Sequence, residues 1–193
     1  MKAASSGPKS APRSAPRPQP EPSPEDEGGT LILDHLPGHL IRRLQQVAVS
    51  LFAEEMEGAG ADLTPVQYAA LATVRAHPGI DQASLAGVIG YDRTTIGGVV
   101  ERLEGKDLIR RIPSPSDRRL RQLFITPEGM ALLVALSAPV LKVQERILEP
   151  LTPAERATLS KLLVKLVNAT NELSRTPTRP ALVRDEPRGP LRR

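Results

Sequence analysis

The chain contains no cysteine, and this absence removes several kinds of function at once. Without a thiol among its 193 residues, the protein cannot use a disulfide framework, a thiolate metal site, a cysteine nucleophile or a thiol redox switch. The sequence also lacks any apolar stretch close to the roughly 20 residues that cross a bilayer, and any apolar leader after Met1. We therefore expect a cytoplasmic protein with no membrane partner.

The short motifs that usually mark an enzyme are absent as well. There is no Gly-x-Ser-x-Gly nucleophile elbow, no P-loop and no glycine pattern for dinucleotide binding. The Asp and His residues are scattered along the chain rather than grouped. We therefore predict that the protein is not an enzyme and has no cofactor.

Positive charge is concentrated in one part of a chain whose formal net charge is only +4. Residues 93–121 hold eight Lys and Arg against four Asp and Glu, and acidic residues such as Glu54 and Glu55 flank this stretch. A local basic face on a nearly neutral body fits phosphate binding. A solvated charged surface is the alternative interpretation of the same cluster.

The two ends of the chain have the composition of tails. Residues 1–29 carry seven prolines and almost no large apolar side chain, and residues 175–193 combine six arginines with further prolines. Such segments cannot bury enough apolar surface to offset the entropy of ordering. We predict disorder in both segments and one domain over residues 30–174, and leave open whether the tails attract phosphate weakly or have no specific role.

Thr-Pro and Asp residues mark where helices begin. The sequences LTPVQ (63–67) and LTPAE (151–155) have the pattern of a capping box with proline at the first helical position, and ITPEG (125–129) has the Thr-Pro start alone. Asp81 and Asp92 are further candidate caps. With the apolar periodicity, these signals predict helices over about residues 34–57, 65–76, 81–90, 92–106, 127–148, which Pro139 could kink, and 153–173.

Residues 81–125 have the order of elements found in a winged helix-turn-helix. A short helix, a tight turn and a second helix lead into a predicted hairpin formed by residues 108–112 and 119–125. In such a module the second helix inserts its N-terminal residues into the major groove of DNA. We expect the helical part to contact DNA through Gln82, Ser84, Arg93, Thr94, Thr95, Gly97, Gly98 and Arg102.

Two glycines inside the second helix need an explanation, because each costs about 1 kcal/mol relative to alanine. Close approach to a DNA backbone would explain Gly97 and Gly98, and so would tight packing between helices.

The hairpin loop carries charged residues that bury nothing. The stretch PSPSDRRLRQLFIT (113–126) places Asp117, Arg118 and Arg119 at the predicted tip. The narrow, electronegative minor groove suits an inserted arginine, and Asp117 can hold the guanidinium of Arg119 by a salt bridge. An ordinary surface ion pair is the alternative, but the position directly behind a helix-turn-helix favours DNA binding by all three residues.

These motifs together resemble the MarR family of bacterial winged helix-turn-helix repressors. The wing sequence DRRLRQLFIT fits the family pattern with Ile125 in place of the usual Leu, and LTPVQYAAL, QASLAGVIGYDRTTIGGVVERLEGKDLIRR and LTPAE occur in the matching order. The resemblance implies a mainly α protein with a small β wing that binds double-stranded DNA as a homodimer. It also implies a DNA-binding lobe over about residues 64–125 and dimerisation helices over about 34–57, 127–148 and 153–173.

Asp107 is a second departure from the family pattern. Asp107 stands where the family commonly has glycine, at a residue that often adopts a left-handed conformation.

The stretch YDRTTIGGVVERLE resembles regulators of aromatic-acid catabolism, of the benzoate and nicotinate type. This resemblance implies a repressor of a degradation operon that a small aromatic carboxylate, such as a hydroxylated benzoate or nicotinate, releases from a pseudo-palindromic operator.

An aromatic carboxylate effector needs a cation or hydrogen-bond donors for its acid group and an apolar slot for its ring. The candidate ligand-binding residues are His35, His39, Arg43, Tyr68 and Arg75. His35 and His39 are four residues apart on one predicted helix face, a spacing that dimer packing would also explain. A zinc site needs a third ligand that is not evident, so we predict no metal. A DNA-binding architectural protein without a sensory role remains the alternative function.

Overall fold

The computed structural model describes residues 33–115 and 120–179, and these residues contain seven α-helices and three short strands. The chain divides into two units, of which the first ends at Arg43 and the second begins at Leu44. The helices are α1 (Pro37–Gly58), α2 (Pro65–Ala76), α3 (Gln82–Ile89), α4 (Arg93–Gly105), α5 (Pro127–Ala135), α6 (Ser137–Leu148) and α7 (Pro153–Thr170). The strands are β1 (Ile80–Asp81), β2 (Ile109–Pro113) and β3 (Arg121–Ile125), and 3-10 turns lie at Leu33–His35 and Asn171–Leu173.

The first helix begins later than the sequence predicts. His35 belongs to the 3-10 turn, and α1 starts at Pro37 rather than at residue 34. Proline suits a first helical position because its missing amide proton would have no partner there, and its ring disfavours the α conformation at Leu36. The expectation that His35 and His39 share one helix face is therefore wrong, since only His39 lies in α1.

The helix starts marked by Thr-Pro form as the sequence predicts. Thr64 caps α2 and Thr152 caps α7, and both capping boxes are complete. The amide of Thr64 donates to Gln67 Oε1 at 3.0 Å, and that of Thr152 donates to Glu155 Oε2 at 2.8 Å. Thr126 caps α5 without a box. These caps fix the chain positions at which three helices begin.

The predicted helix over residues 127–148 is two helices instead of one. Helix α5 ends at Ala135, and α6 begins at Ser137 after the intervening Leu136. Proline at position 139 cannot donate to the carbonyl of Ala135, and its ring clashes with that carbonyl in a continuous helix. The chain therefore breaks four residues before Pro139. The helix predicted over residues 153–173 is shorter than expected, because α7 ends at Thr170 and the 3-10 turn Asn171–Leu173 follows it.

The three strands form one antiparallel sheet in the order β1, β3, β2. Strands β2 and β3 are the predicted hairpin, and Pro113 faces Arg121 at its outer end. Strand β1 is only two residues long and pairs Ile80 with Leu123. This pairing joins the segment before α3 to the hairpin, so that the helix-turn-helix and the wing share one framework.

The core of the second unit lies between α2, α3, α4 and the sheet. The large, fully buried side chains of this core include Leu71, Val74, Leu85, Ile96, Val99, Val100, Leu103, Ile109 and Leu123. By contrast, α7 buries none of its residues. An apolar face of α7 is left exposed, formed by Leu162, Leu163, Val164, Leu166 and Val167.

Asp107 follows the end of α4 in the left-handed conformation, at the residue where the family commonly has glycine. Its φ is 55°. The amide of Leu108 donates to Leu103 O at 3.0 Å and that of Asp107 to Glu104 O at 2.9 Å, which is the hydrogen-bond pattern of a Schellman motif. The hydroxyl of Thr126 donates to Asp107 O at 2.6 Å and ties this turn to the start of α5.

Replacing Asp107 with glycine should stabilise the protein. A β-carbon disfavours the left-handed region, so we expect Asp107→Gly to raise the free energy of unfolding by about 1 kcal/mol. Urea denaturation followed by circular dichroism measures this change. Asp107→Ala keeps the β-carbon and should give no gain, and a loss of stability in the glycine variant would contradict the argument.

Gly129 packs where a side chain has no room. A β-carbon built on this residue would lie 2.2 Å from the carbonyl oxygen of Leu108 and 2.9 Å from Ile125 Cγ1. Gly129 is buried in the first turn of α5. Close packing of α5 on the chain that enters β2 therefore requires glycine at this position.

We expect Gly129→Ala to lower the free energy of unfolding by about 1–3 kcal/mol, the usual range for overpacking a core site. The matched control is Gly105→Ala at the end of α4, where an added β-carbon meets no atom within 4 Å. Urea denaturation of both variants should show a loss for the first only. Equal effects would mean that the tight contact at Gly129 relaxes without strain.

Candidate nucleic-acid interface

Aspartates cap both helices of the helix-turn-helix, as the sequence predicts. Asp81 accepts hydrogen bonds from the amide of Ser84 at 2.9 Å and from its hydroxyl at 3.0 Å. Asp92 accepts from the amide of Thr95 at 2.8 Å and from its hydroxyl at 2.5 Å. The hydroxyl protons of Ser84 and Thr95 are therefore used within the protein, and only their oxygen lone pairs remain for a ligand.

The hydrogen bonds at the start of α4 keep its cap charged. The Thr95 hydroxyl, followed by the Thr95 amide, lowers the pKa of the Asp92 carboxyl below its usual value. A carboxyl whose pKa is depressed by folding stabilises the protein above its unfolded pKa, and this contribution is lost as the pH falls through the folded value. At neutral pH the cap is ionised and α4 is held at its first turn.

The turn between the two helices depends on a glycine. Gly90 ends α3 with φ 71°, in the left-handed region, and the amide of Tyr91 donates back to Ala86 O at 3.0 Å. Asp92 then caps α4 after a gap of only two residues. Glycine adopts this backbone conformation without a steric penalty, so the turn can stay tight.

The two glycines within α4 have different surroundings. A β-carbon on Gly97 would lie 3.3 Å from Gln82 Nε2, whereas one on Gly98 would meet no atom within 4 Å. At about 100° per residue, Gly98 and Thr94 lie on the side of α4 opposite the buried Ile96. The Gln82 side chain of α3 therefore packs close to Gly97, whereas no atom of the described residues packs on Gly98.

The starts of α3 and α4 meet the end of the wing around one depression. Its lining residues are Asp81, Gln82, Ala83, Arg93, Leu120 and Arg121. Arg93, Thr94 and Thr95 are exposed in the first turn of α4, and Gln82 is half-buried. The fold thus brings residues from three separate elements to one surface that points away from the core.

Arg121 also belongs to this surface, although it was not among the predicted DNA contacts. It is exposed, and it opens β3 directly after the wing loop. Its position in the basic stretch was the signal that could have identified it. The predicted contacts Asp117, Arg118 and Arg119 lie outside the described residues, and the described base of that loop is closed by Ser114 N donating to Leu120 O at 2.9 Å.

Several basic residues of the stretch 93–121 are used to hold the fold. Arg111 Nε donates to Glu104 Oε2 at 2.6 Å, and this hydrogen bond lowers the pKa of the Glu104 carboxyl. Lys106 Nζ lies 2.6 Å from Asp62 Oδ2. The guanidinium of Arg110 lies 6.0 Å from the ring centroid of Phe124, within the distance for a cation–π contact.

Arg102 is separated from the start of α4. It is exposed in the last turn of the helix, and nine residues after Arg93 correspond to about half a turn of rotation around the axis. The structure therefore does not place Arg102 beside Arg93. It brings Arg93 instead to Gln82 and Arg121.

The candidate ligand-binding residues fall in both units of the chain. In the first unit, His39 Nε2 lies 3.5 Å from Asp34 Oδ1, and the His39 side chain is only 12% exposed. His35 lies in the 3-10 turn, and Arg43 is exposed in α1, one turn after His39. The Asp34 carboxylate therefore already occupies one edge of the His39 imidazole.

In the second unit, Tyr68 is half-buried against Phe52, with ring centroids 6.1 Å apart in an edge-to-face arrangement. Arg75 is exposed in the last turn of α2. Tyr68 and Arg75 therefore lie on the same helix, seven residues apart.

Residues 33–115 and 120–179 contain neither a metal-ligand cluster nor a membrane-spanning helix. No three His, Cys, Asp or Glu residues there are grouped to hold a metal ion. No helix in the same residues is long and apolar enough to cross a bilayer.

Comparison with known proteins places this architecture among transcriptional regulators. The model of the MarR family matches residues 63–120, which include the helix-turn-helix and most of the wing. The repressor NicR of Pseudomonas putida is 32% identical over 132 residues, which cover 68% of this chain and 82% of NicR. A putative regulatory protein for the hcr operon of Thauera aromatica is 36% identical over 138 residues, 70% of this chain and 81% of that protein.

A solved structure agrees with these sequence matches. BpsR of Bordetella bronchiseptica, a protein whose DNA binding is regulated by 6-hydroxynicotinic acid, superposes with a TM-score of 0.67 at 28% identity. The superposition covers 72% of this chain and 97% of BpsR.

Proposed function

Because this chain belongs to the MarR family of transcriptional regulators, we propose that it is a dimeric, ligand-responsive repressor. It binds a pseudo-palindromic operator and releases it when a small aromatic carboxylic acid binds. The supporting observation is the surface on which the start of α3, the start of α4 and the end of the wing surround one depression. Membership of a family of regulators agrees with the prediction that the protein is not an enzyme.

In this proposal α4 enters the major groove with its first turn. Arg93 is a donor for guanine O6 and N7, and Thr94 and Gln82 lie beside it at the same surface. Gly98 lets the helix approach the DNA closely, since among the described residues no atom lies within 4 Å of a β-carbon built there. Arg102 contacts a phosphate and positions the helix. Ser84 and Thr95 donate their hydroxyl protons to Asp81 and Asp92, so they offer only oxygen lone pairs, which can accept from base amino groups. Asp117, Arg118 and Arg119 of the wing tip reach the minor groove.

The exposed apolar face of α7 supports the dimer. Five leucine and valine side chains of this helix are 39–60% exposed, which is unfavourable in water at about 25 cal/mol per Å² of apolar surface. A second copy of the chain covers this face in our proposal. Two-fold symmetry then sets two α4 helices about 34–36 Å apart, the spacing of successive major grooves.

The effector class follows from the relatives and from the cations available on α1 and α2. BpsR responds to 6-hydroxynicotinic acid, and we propose an aromatic or heteroaromatic carboxylate for this chain. His39 and Arg43 are the candidates for binding its acid group, with His35, Tyr68 and Arg75 as further contacts. An effector that favours a different separation of the two α4 helices shifts the population away from DNA.

DNA binding by the proposed surface can be tested at Arg93. We expect Arg93→Ala to weaken binding to a labelled duplex from the protein's own promoter region by roughly 10–150-fold, the range for loss of one bidentate base contact. Fluorescence anisotropy measures the affinity. Arg42→Ala, an exposed arginine of α1 outside the helix-turn-helix, should bind as the wild type does. Equal affinity for operator and random duplex in the wild-type protein would contradict the repressor function.

The effector can be tested by titrating the protein–DNA complex with 6-hydroxynicotinic acid and hydroxylated benzoates. One of these acids should weaken DNA binding by roughly 5–150-fold, the usual range of allosteric coupling. Arg43→Ala should reduce acid binding in calorimetry, whereas Arg42→Ala, its neighbour on α1, should not.

The contact between Asp34 and His39 gives a second prediction, an increase in acid binding, within the same titration. Asp34→Asn removes the carboxylate that lies 3.5 Å from His39, so the acid should bind more tightly to this variant. If no acid in the panel binds or releases DNA while operator binding persists, the protein is an architectural DNA-binding protein instead.

A further inference from the structure

The segment after the last helix is docked on the helix-turn-helix. Residues Ser174–Arg179, here called the C-terminal strap, follow the 3-10 turn Asn171–Leu173. The sequence predicts a disordered tail from residue 175 onward. The structure instead gives residues 175–179 a defined path with specific hydrogen bonds to the end of α3.

Backbone and side-chain hydrogen bonds hold the strap in place. The hydroxyl of Thr176 donates to Gly90 O at 2.9 Å, and the amide of Arg179 donates to Gly87 O at 2.8 Å. The amide of Thr178 donates to Asn171 Oδ1 at 2.8 Å. The strap is therefore bound both to α3 and to the 3-10 turn that precedes it.

One glycine makes room for the strap. A β-carbon on Gly90 would lie 2.9 Å from Thr178 Cγ2, whereas one on Gly87 would make ordinary van der Waals contact with Arg179 Cβ at 3.5 Å. A side chain at position 90 would therefore push the strap away from α3. Gly90 thus serves two purposes, because it also takes the left-handed conformation of the turn.

The docked strap brings two more arginines to the start of α4. Arg175 and Arg179 line one depression together with Arg93, Tyr91 and Asp92. All three arginines are exposed, and none makes an ion pair with any residue in 33–115 or 120–179.

Three like charges around one depression repel one another unless an anion lies between them. The carboxylate of Asp92 in the same depression offsets one of these charges, and its oxygens already accept hydrogen bonds from Thr95, so a net positive charge is left. The charge arrangement therefore matches an external anion next to the helix that we propose enters the major groove.

We propose that the C-terminal strap is part of the DNA-binding surface and that Arg175 and Arg179 bind the phosphate backbone beside α4. This inference rests on the proposed function of DNA binding. Contacts of this kind fix the register of a protein on the duplex without reading its sequence. The strap thereby widens the footprint of each subunit from the groove to the adjacent phosphates.

The salt dependence of DNA binding tests this inference in the full-length chain. The double variant Arg175→Ala/Arg179→Ala should bind the operator duplex roughly 10–100-fold more weakly at about 0.15 M salt. The association constant K should also fall less steeply with salt, so that the magnitude of the negative slope of log K against log salt decreases by about 2–4. Fluorescence anisotropy over a salt series gives both quantities. Thr176→Val keeps both charges but removes the hydrogen bond to Gly90, and should give a smaller loss in affinity.

The matched control is Arg188→Ala/Arg192→Ala, which removes the same charge beyond the described residues and should leave the slope nearly unchanged. An equal loss in this control would overturn the inference in favour of diffuse charge attraction. An unchanged slope in the strap variant, or tighter binding as expected for a segment that blocks DNA, would also overturn it. If the wild-type chain binds no duplex at all, the proposed function itself fails; if it binds and only the strap variant behaves as wild type, the strap inference alone fails.

Discussion

The start of α4 is the point on which the proposed function depends, and two short-range constraints hold it there. Asp92 accepts two hydrogen bonds from Thr95, and Gly90 turns the chain in the left-handed conformation immediately before it. Because both constraints act within a few residues, they set the direction of α4 relative to α3 independently of distant contacts. The wing is then attached to the same framework by the pairing of Ile80 with Leu123. This arrangement orients the described residues of α3, α4 and β3 that we propose contact DNA.

Charge in the basic stretch is divided between holding the fold and facing solvent. Arg111 is bonded to Glu104 and Lys106 to Asp62, and Arg110 lies over Phe124. These pairs fasten the wing and the end of α4 to their surroundings. The remaining arginines at the start of α4, at the start of β3 and in the strap are exposed. A count of basic residues in the stretch 93–121 would therefore overstate the number of side chains available to bind DNA. It would also omit the two arginines of the strap.

The short-range features of the chain were predictable, and the features created by contact between distant segments were not. The caps at Asp81 and Asp92 and the Thr-Pro helix starts follow from local patterns, because their hydrogen bonds join residues three positions apart. The hairpin follows from two apolar stretches that are consecutive in the chain. The break between α5 and α6 could have been placed from Pro139 by counting back four residues. Strand β1 carried no usable signal, since a strand of two residues exists only through its pairing with β3.

The sequence by itself determined the order of the helices, the positions of their caps, the basic stretch and the family to which the chain belongs. These are properties of local hydrogen bonding and of residue order. Only the tertiary structure decided that Gln82 packs close to Gly97 while no described side chain packs on Gly98. It also decided that Arg121 joins Arg93 and that the strap returns to α3. Each of these depends on segments that are far apart in the chain and meet only after folding, so no periodicity or motif within one segment could have revealed them.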